Sequence, residues 1–269
     1  MAAVFVFSVH VSWPPLAGYH FLALPAFLDL GSQSVDIFFV LSGFVIGYVT
    51  DSREQSARAY TIRRLGRLYS VVLPALVATM GLDLLGSWMR PALYATVHEA
   101  AGGGHFWRYL ASGLFVNEVW DFNVVPGINL PFWSLGYEAW YYLLFGIIFF
   151  SPQRLRWIAA TFAVLAAGPK ITALFPLWLA GVFCYRICKQ AYIETVGASG
   201  LWILSLVGFF YYQAWYIYLH IHHAAPPPIL HRPIAELWND YVIGGLFVTN
   251  LIGFRFGVSR LGFGFFLAT

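Results

Sequence analysis

The chain has 269 residues, of which 60% are hydrophobic, 19% aromatic and only 10% charged, with a net charge of +3. Soluble domains carry about 25% charged residues, so this composition excludes a water-facing globular surface. Apolar runs approach the roughly 20 residues that a bilayer demands and lack the alternation of an outer-membrane barrel. The expected fold is therefore all-α: one polytopic transmembrane bundle over residues 1–269, with about eight helices plus a short re-entrant or interfacial segment.

Hydropathy places helices at about 3–24, 35–50, 68–89, 133–150, 157–167, 171–187, 198–219 and 241–257. The first has no basic start and no small-residue cleavage pattern, so it reads as a retained helix rather than a signal peptide. Asp36 opens the second, where it is placed to cap the helix N-terminus. Ser42-Gly43 inside that helix reads as a point of close packing between helices. Residues 105–117 are weakly apolar, contain His105, Arg108 and Asn117, and read as the re-entrant piece. The run 157–167 spans only if Gly168-Pro169 turns the chain at a thin point. Cys184 and Cys188 lie four apart and read as a buried thiol pair.

Basic residues set the orientation. If Arg53, Arg58, Arg63, Arg64 and Arg67 face the cytoplasm, eleven basic residues lie on that side and four opposite. That asymmetry holds only if 105–117 does not cross. The segment "HIHHAAPPPILHRP" has four histidines in twelve residues. Its proline run is stiff and extended and no carboxylate or cysteine is interleaved, so no metal is expected. No nucleic-acid partner is expected either; the lipid bilayer is.

Polar groups inside apolar spans are costly and mark function by default. His10 lies in "FVFSVHVSW", Asp36 at the start of the second helix, and Glu138 in "NLPFWSLGYEAWYYLLFG". Ser134 and Glu138 are four apart and share one helical face. His10 has an ordinary pKa near neutrality, about 6.5, suited to moving a proton. Arg63, Arg64 and Arg67 are spaced to project from one side of a helix, and guanidinium groups suit phosphate. Read from the residues alone, these arginines serve equally as topology determinants and headgroup anchors. His10 reads equally as a packing residue, and Glu138 as half of a structural ion pair.

"SVDIFFVLSGFVIG" resembles the GVDLFFVLSGFLI signature of the acyltransferase-3 family, membrane O-acyltransferases of cell-surface sugars. "RRLGRLYSVVLPALV" is similar to that family's RxxR segment, "FWSLGYEAWYYLLFGII" to its WSLxxE-x-x-x-Y segment, and "FPLWLAGVFCYRI" to a later helix. The resemblance implies an acyltransferase for groups other than amino-acyl groups, multi-pass in the cell's inner or plasma membrane. Its donor would be cytoplasmic acyl-CoA, most often acetyl-CoA, and its acceptor a carbohydrate hydroxyl. His10 then matches the family's essential histidine, a base that Glu138 supports. Ser134 and Glu138 match the SxxxE pair, Asp36 the acidic residue of the signature, and Arg64 and Arg67 the two arginines, with Arg63 beside them. The family's arginine eleven positions before the histidine would precede Met1, and its core has about ten helices, so a chain truncated at both ends is expected. A small-molecule or proton-coupled membrane transporter and an inactive truncated acyltransferase relative remain the alternative readings.

Overall fold

In a computed structural model, residues 30–52, 56–91, 94, 105–222 and 234–258 are described. Among them are eight α-helices and no strand. We label these α1 (Leu30–Ser52), α2 (Ala57–Met89), α3 (His105–Gly113), α4 (Trp133–Phe150), α5 (Gln153–Ala167), α6 (Pro169–Gln190), α7 (Thr195–His222) and α8 (Ile234–Phe256). Four are long and apolar enough to cross a membrane: Gly31–Ser52, Ala57–Met89, Pro169–Gln190 and Thr195–Tyr218. The chain is an integral membrane protein.

Two boundaries depart from the hydropathy reading and change what residues do. Helix α1 begins at Leu30 rather than at about 35. Asp36 is consequently not an N-cap; it lies in the second helical turn and is 1% exposed. Helix α2 begins at Ala57, capped by Ser56, whose hydroxyl accepts the Ala59 N–H at 3.3 Å. Arg58, Arg63, Arg64 and Arg67 therefore ride on a helix rather than in a connection. At 33 residues and 1.5 Å per residue, α2 is about 50 Å long and exceeds a hydrocarbon core of about 30 Å. Its basic first turns can reach an aqueous boundary while the rest spans.

Helix α3 has nine residues, about 13 Å of rise, too short to cross. That length agrees with a re-entrant or interfacial segment. Helix α5, with 15 residues, ends at Gly168, where φ is +83°. A glycine accepts this left-handed geometry readily, and Pro169 then opens α6. Gly168-Pro169 is the turn that the sequence suggested.

The chain divides into two compact units. The first joins residues 1–52 to 176–269. Within it α1 and α6 approach backbone to backbone: a Cβ at Gly43 would overlap the Trp178 carbonyl, and one at Gly181 would overlap that of Val40. Beside this crossing the Trp178 indole donates to Ser42 Oγ at 3.2 Å. Ser42-Gly43 is thus a packing point, as expected. The Gln33 and Gln213 amides bond each other in both directions, at 3.0 and 2.6 Å. Asp51 pairs with Lys189 and accepts the Tyr185 hydroxyl at 2.7 Å. Cys184 and Cys188 are both free thiols, the first buried and the second half-buried.

The second unit, residues 53–175, packs α2 against α3 and α4, and α4 against α5. A 3-10 turn at Leu130–Phe132, with a proline in its first positions, leads directly into α4. The Tyr69 hydroxyl donates to Gly113 O at 3.1 Å and the Trp140 indole to Phe115 O at 3.0 Å. Together these tie the end of α3 and the following loop to α2 and α4.

Candidate active site in the second unit

The antiparallel run of α2 against α4 brings together residues far apart in the chain. Glu138, whose side chain is 16% exposed, pairs with Arg67 at 3.5 Å. It also accepts the Tyr142 hydroxyl, one turn further along α4. Arg64 is 8% exposed and its guanidinium lies 5.7 Å from the Tyr60 ring centre and 5.8 Å from that of Tyr142. Both distances fall within cation–π range. Arg67 lies over the Tyr142 ring at 6.0 Å. Tyr60 closes the cluster by donating its hydroxyl to Tyr142 O at 2.9 Å. Gly146 gives Tyr60 room, since a Cβ there would stand 2.9 Å from the tyrosine ring.

This cluster borders a cavity of about 590 Å³ between α2 and α4. Its wall is mostly apolar, with Leu65, Leu68, Leu143 and Ile147, while Arg64, Tyr142, Tyr60, Thr61 and Ser151 are among its polar residues. Ligand pockets of about 300–1,000 Å³ with a few convergent polar groups have this character. A buried cation beside an apolar wall suits a ligand that joins an anionic part to a hydrocarbon part.

The remaining sequence candidates fall as follows. Ser134 sits in the first turn of α4 and donates its hydroxyl to Pro131 O at 3.1 Å, so it holds the helix start. Arg63 is exposed on α2 and does not share the inward face of Arg64; a turn of 100° per residue separates neighbours. The three arginines thus divide between one buried and two exposed positions. Asp36 is buried in α1, within the first unit. His10 lies outside the described residues, as does most of the histidine-rich segment after α7.

Sequence reasoning missed Tyr60 as a site residue. The spacing of Tyr60 and Arg64, four apart on one helix, was the available signal. Tyr142 was visible only as part of a motif, with no role attached. A second polar group also went unread. Near the far end of α2, the Tyr109 hydroxyl donates to Asp83 Oδ2 at 3.0 Å. Burial and this bond push the Tyr109 hydroxyl well above the usual tyrosine range. Burial lowers Arg108, against the opposing pull of Tyr109 and Asp83. Gly127, at φ +55°, packs on Asp83 where a Cβ would not fit.

A helical membrane bundle with an Arg–Glu–Tyr cluster at an apolar cavity is the setting in which the comparisons with known proteins fall. The chain belongs to the acyltransferase-3 family: the family model, described as an acyltransferase domain, matches residues 1–230. It is similar to acyltransferase MdmB of Streptomyces mycarofaciens, 29% identical over 186 residues, 65% of this chain and 45% of that protein. It is also similar to the exopolysaccharide production protein ExoZ of Rhizobium meliloti (strain 1021), 27% identical over 160 residues, 58% of this chain and 44% of that one. The chain thus covers less than half the length of either relative. No solved structure matches it.

Proposed function

We propose that this protein moves an acyl group from cytoplasmic acyl-CoA, in the first instance acetyl-CoA, to a hydroxyl of a cell-surface carbohydrate. The supporting observation is that Arg64 and Tyr142 line the apolar cavity of the second unit, while Glu138 joins Tyr142 to Arg67. Family membership adds the reaction class, and the name of ExoZ, an exopolysaccharide production protein, adds the acceptor class.

In this reading the arginines bind the donor's phosphates, for which guanidinium forks are well shaped. Arg67 and Arg63 are exposed on α2 and meet the phosphates first. Arg64, held between two rings, keeps one positive charge at the cavity wall. Glu138 holds Arg67 and takes the Tyr142 hydroxyl, so it fixes the geometry of both. Ser134 secures the helix start that carries Glu138. Asp36 is an acidic residue kept inside the first unit, and we assign it a supporting role. No metal is involved in the reading.

The reaction needs a base for the acceptor hydroxyl. His10 takes that proton as the acceptor oxygen forms its bond to the thioester carbonyl carbon. The carbon–sulfur bond then breaks, and the proton passes to the departing CoA sulfur. His10→Ala abolishes acyl transfer while membrane insertion and the unfolding midpoint stay unchanged. The check is acyl-CoA consumption by purified protein in nanodiscs offered bacterial glycans. Wild-type protein that neither binds nor consumes acyl-CoA with any glycan offered would overturn the proposal.

A further inference from the structure

Between α3 and α4 the chain forms a buttressed loop that the cluster above does not use. The Val124 N–H donates to Asn117 O at 3.0 Å and closes residues 117–124 into a compact turn. At its base Glu118 forms an ion pair with Lys170 at 2.5 Å, with side chains only 4% and 8% exposed. Lys170 also donates to Phe122 O at 2.7 Å. The Trp120 indole N–H donates to Leu165 O at 2.9 Å, and its backbone N–H to Ala167 O at 3.2 Å. Gly168 admits this docking, because a Cβ there would stand 2.9 Å from the Trp120 backbone.

Trp120 is held at φ +54°, and Phe115 at +59°; among the described residues these are the two non-glycine positions with positive φ. A bulky residue keeps such a conformation only where its surroundings impose it, and such positions gather at functional sites. Here the surroundings engage the polar edge of the indole and leave Trp120 50% exposed. Phe122 is 60% exposed two residues later. Asp121 and Asn123, between and after the two rings, are exposed as well.

We propose that the tip Trp120-Asp121-Phe122-Asn123 is the subsite that receives a pyranose ring of the acceptor glycan. The proposal rests on the acyltransferase reading above. A pyranose has a face of C–H bonds, polarised by the adjacent oxygens, and an edge of hydroxyls. The negative face of an aromatic ring suits the first. An exposed carboxylate and amide beside it suit the second, as acceptor and as donor. Interfacial aromatic belts also expose such rings, but a carboxylate between the rings is repelled by headgroup phosphates, which attract cations. Residues 119–124, "VWDFNV", contain no cation, and Lys170 is turned inward to Glu118. The loop also packs near the start of α4 and the end of α5, away from Arg154 and Arg156 in the first turn of α5. By the positive-inside asymmetry this is the non-cytoplasmic side, where a cell-surface sugar is met.

The test uses the full chain in nanodiscs, labelled with 5-fluorotryptophan, with the Trp120 fluorine resonance assigned by its loss in Trp120→Phe. Maltopentaose, cellopentaose, mannopentaose and galactopentaose serve as probes. At least one shifts the Trp120 resonance saturably, and Phe122→Ala weakens that binding about tenfold; calorimetric titration, which needs no fluorine at position 120, reads a similar loss for Trp120→Ala and a smaller one for Trp120→Phe. Thermal unfolding midpoints matching wild type confirm that the variants fold. The proposal is overturned if no oligosaccharide moves the resonance, or if it responds only to exchange of zwitterionic for anionic lipid. Acetyl-CoA binding is measured on the same samples. Sugar binding without donor binding counts against the donor assignment alone, and donor binding without sugar response counts against this subsite alone.

Discussion

Arg64 and Arg67 are one helical turn apart and have different physical circumstances. Arg64 lies at 8% exposure between the Tyr60 and Tyr142 rings, whereas the Arg67 side chain is 48% exposed and paired with Glu138. An exposed ion pair contributes about 0–1 kcal/mol to stability, while a cation packed between rings contributes up to about 2 kcal/mol when desolvated. Arg67→Gln is therefore expected to weaken acetyl-CoA binding and flatten its salt dependence with little change in unfolding midpoint. Arg64→Gln lowers the midpoint as well. Calorimetric titration at two salt concentrations, with thermal unfolding of each variant, checks the pair; equal effects on both quantities would contradict the division. The arginines were legible as a cationic group from their spacing alone. Which of them points inward was not, because the inward face of α2 is set by its contact with α4, where Tyr142 meets Arg64.

At the scale of helices, the contact between α1 and α6 is controlled by residues that lack side chains. Gly43 and Gly181 each face a carbonyl of the opposite helix, and Ser42 takes the Trp178 indole beside them. In lipid, helices associate through such close packing, since no hydrophobic gain drives them together. Gly181→Val is expected to destabilise the first unit by about 1–3 kcal/mol, the cost of overpacking a filled contact. Gly66→Ala, which meets nothing within 4 Å, leaves stability unchanged or slightly raised. Thermal unfolding in one detergent compares the two. Ser-Gly in an apolar run announced a contact of this kind, but its partner helix lies more than a hundred residues away. Helix ends were less legible. Leu30–Ser34 reads as polar and weakly apolar, yet it is helical, with Gln33 bonded to Gln213 of α7 and Ser34 buried.

For the whole chain, the positive-inside count predicts which ends of the helices share a side. Asn123 and Gln153 flank opposite ends of α4 and provide a direct measurement. In a background with Cys184 and Cys188 replaced by alanine, Asn123→Cys reacts with a membrane-impermeant maleimide added to intact cells. Gln153→Cys reacts only after the cytoplasmic side is opened. The reverse pattern would invert the orientation, and with it the side assigned to the acceptor loop.

Composition alone determined that the protein lives in lipid and is helical, because so few charges cannot clothe a soluble fold and no alternation supports a barrel. The motifs around Asp36, Arg64 and Glu138 determined its family, since they depend on local residue order. The tertiary structure decided the rest: Asp36 inside a helix rather than capping it, Arg64 held by rings from two helices, and an acidic aromatic loop buttressed through Glu118 and Lys170. Each of these depends on contacts between residues distant along the chain, and local propensity carries no information about which distant partner a side chain will meet.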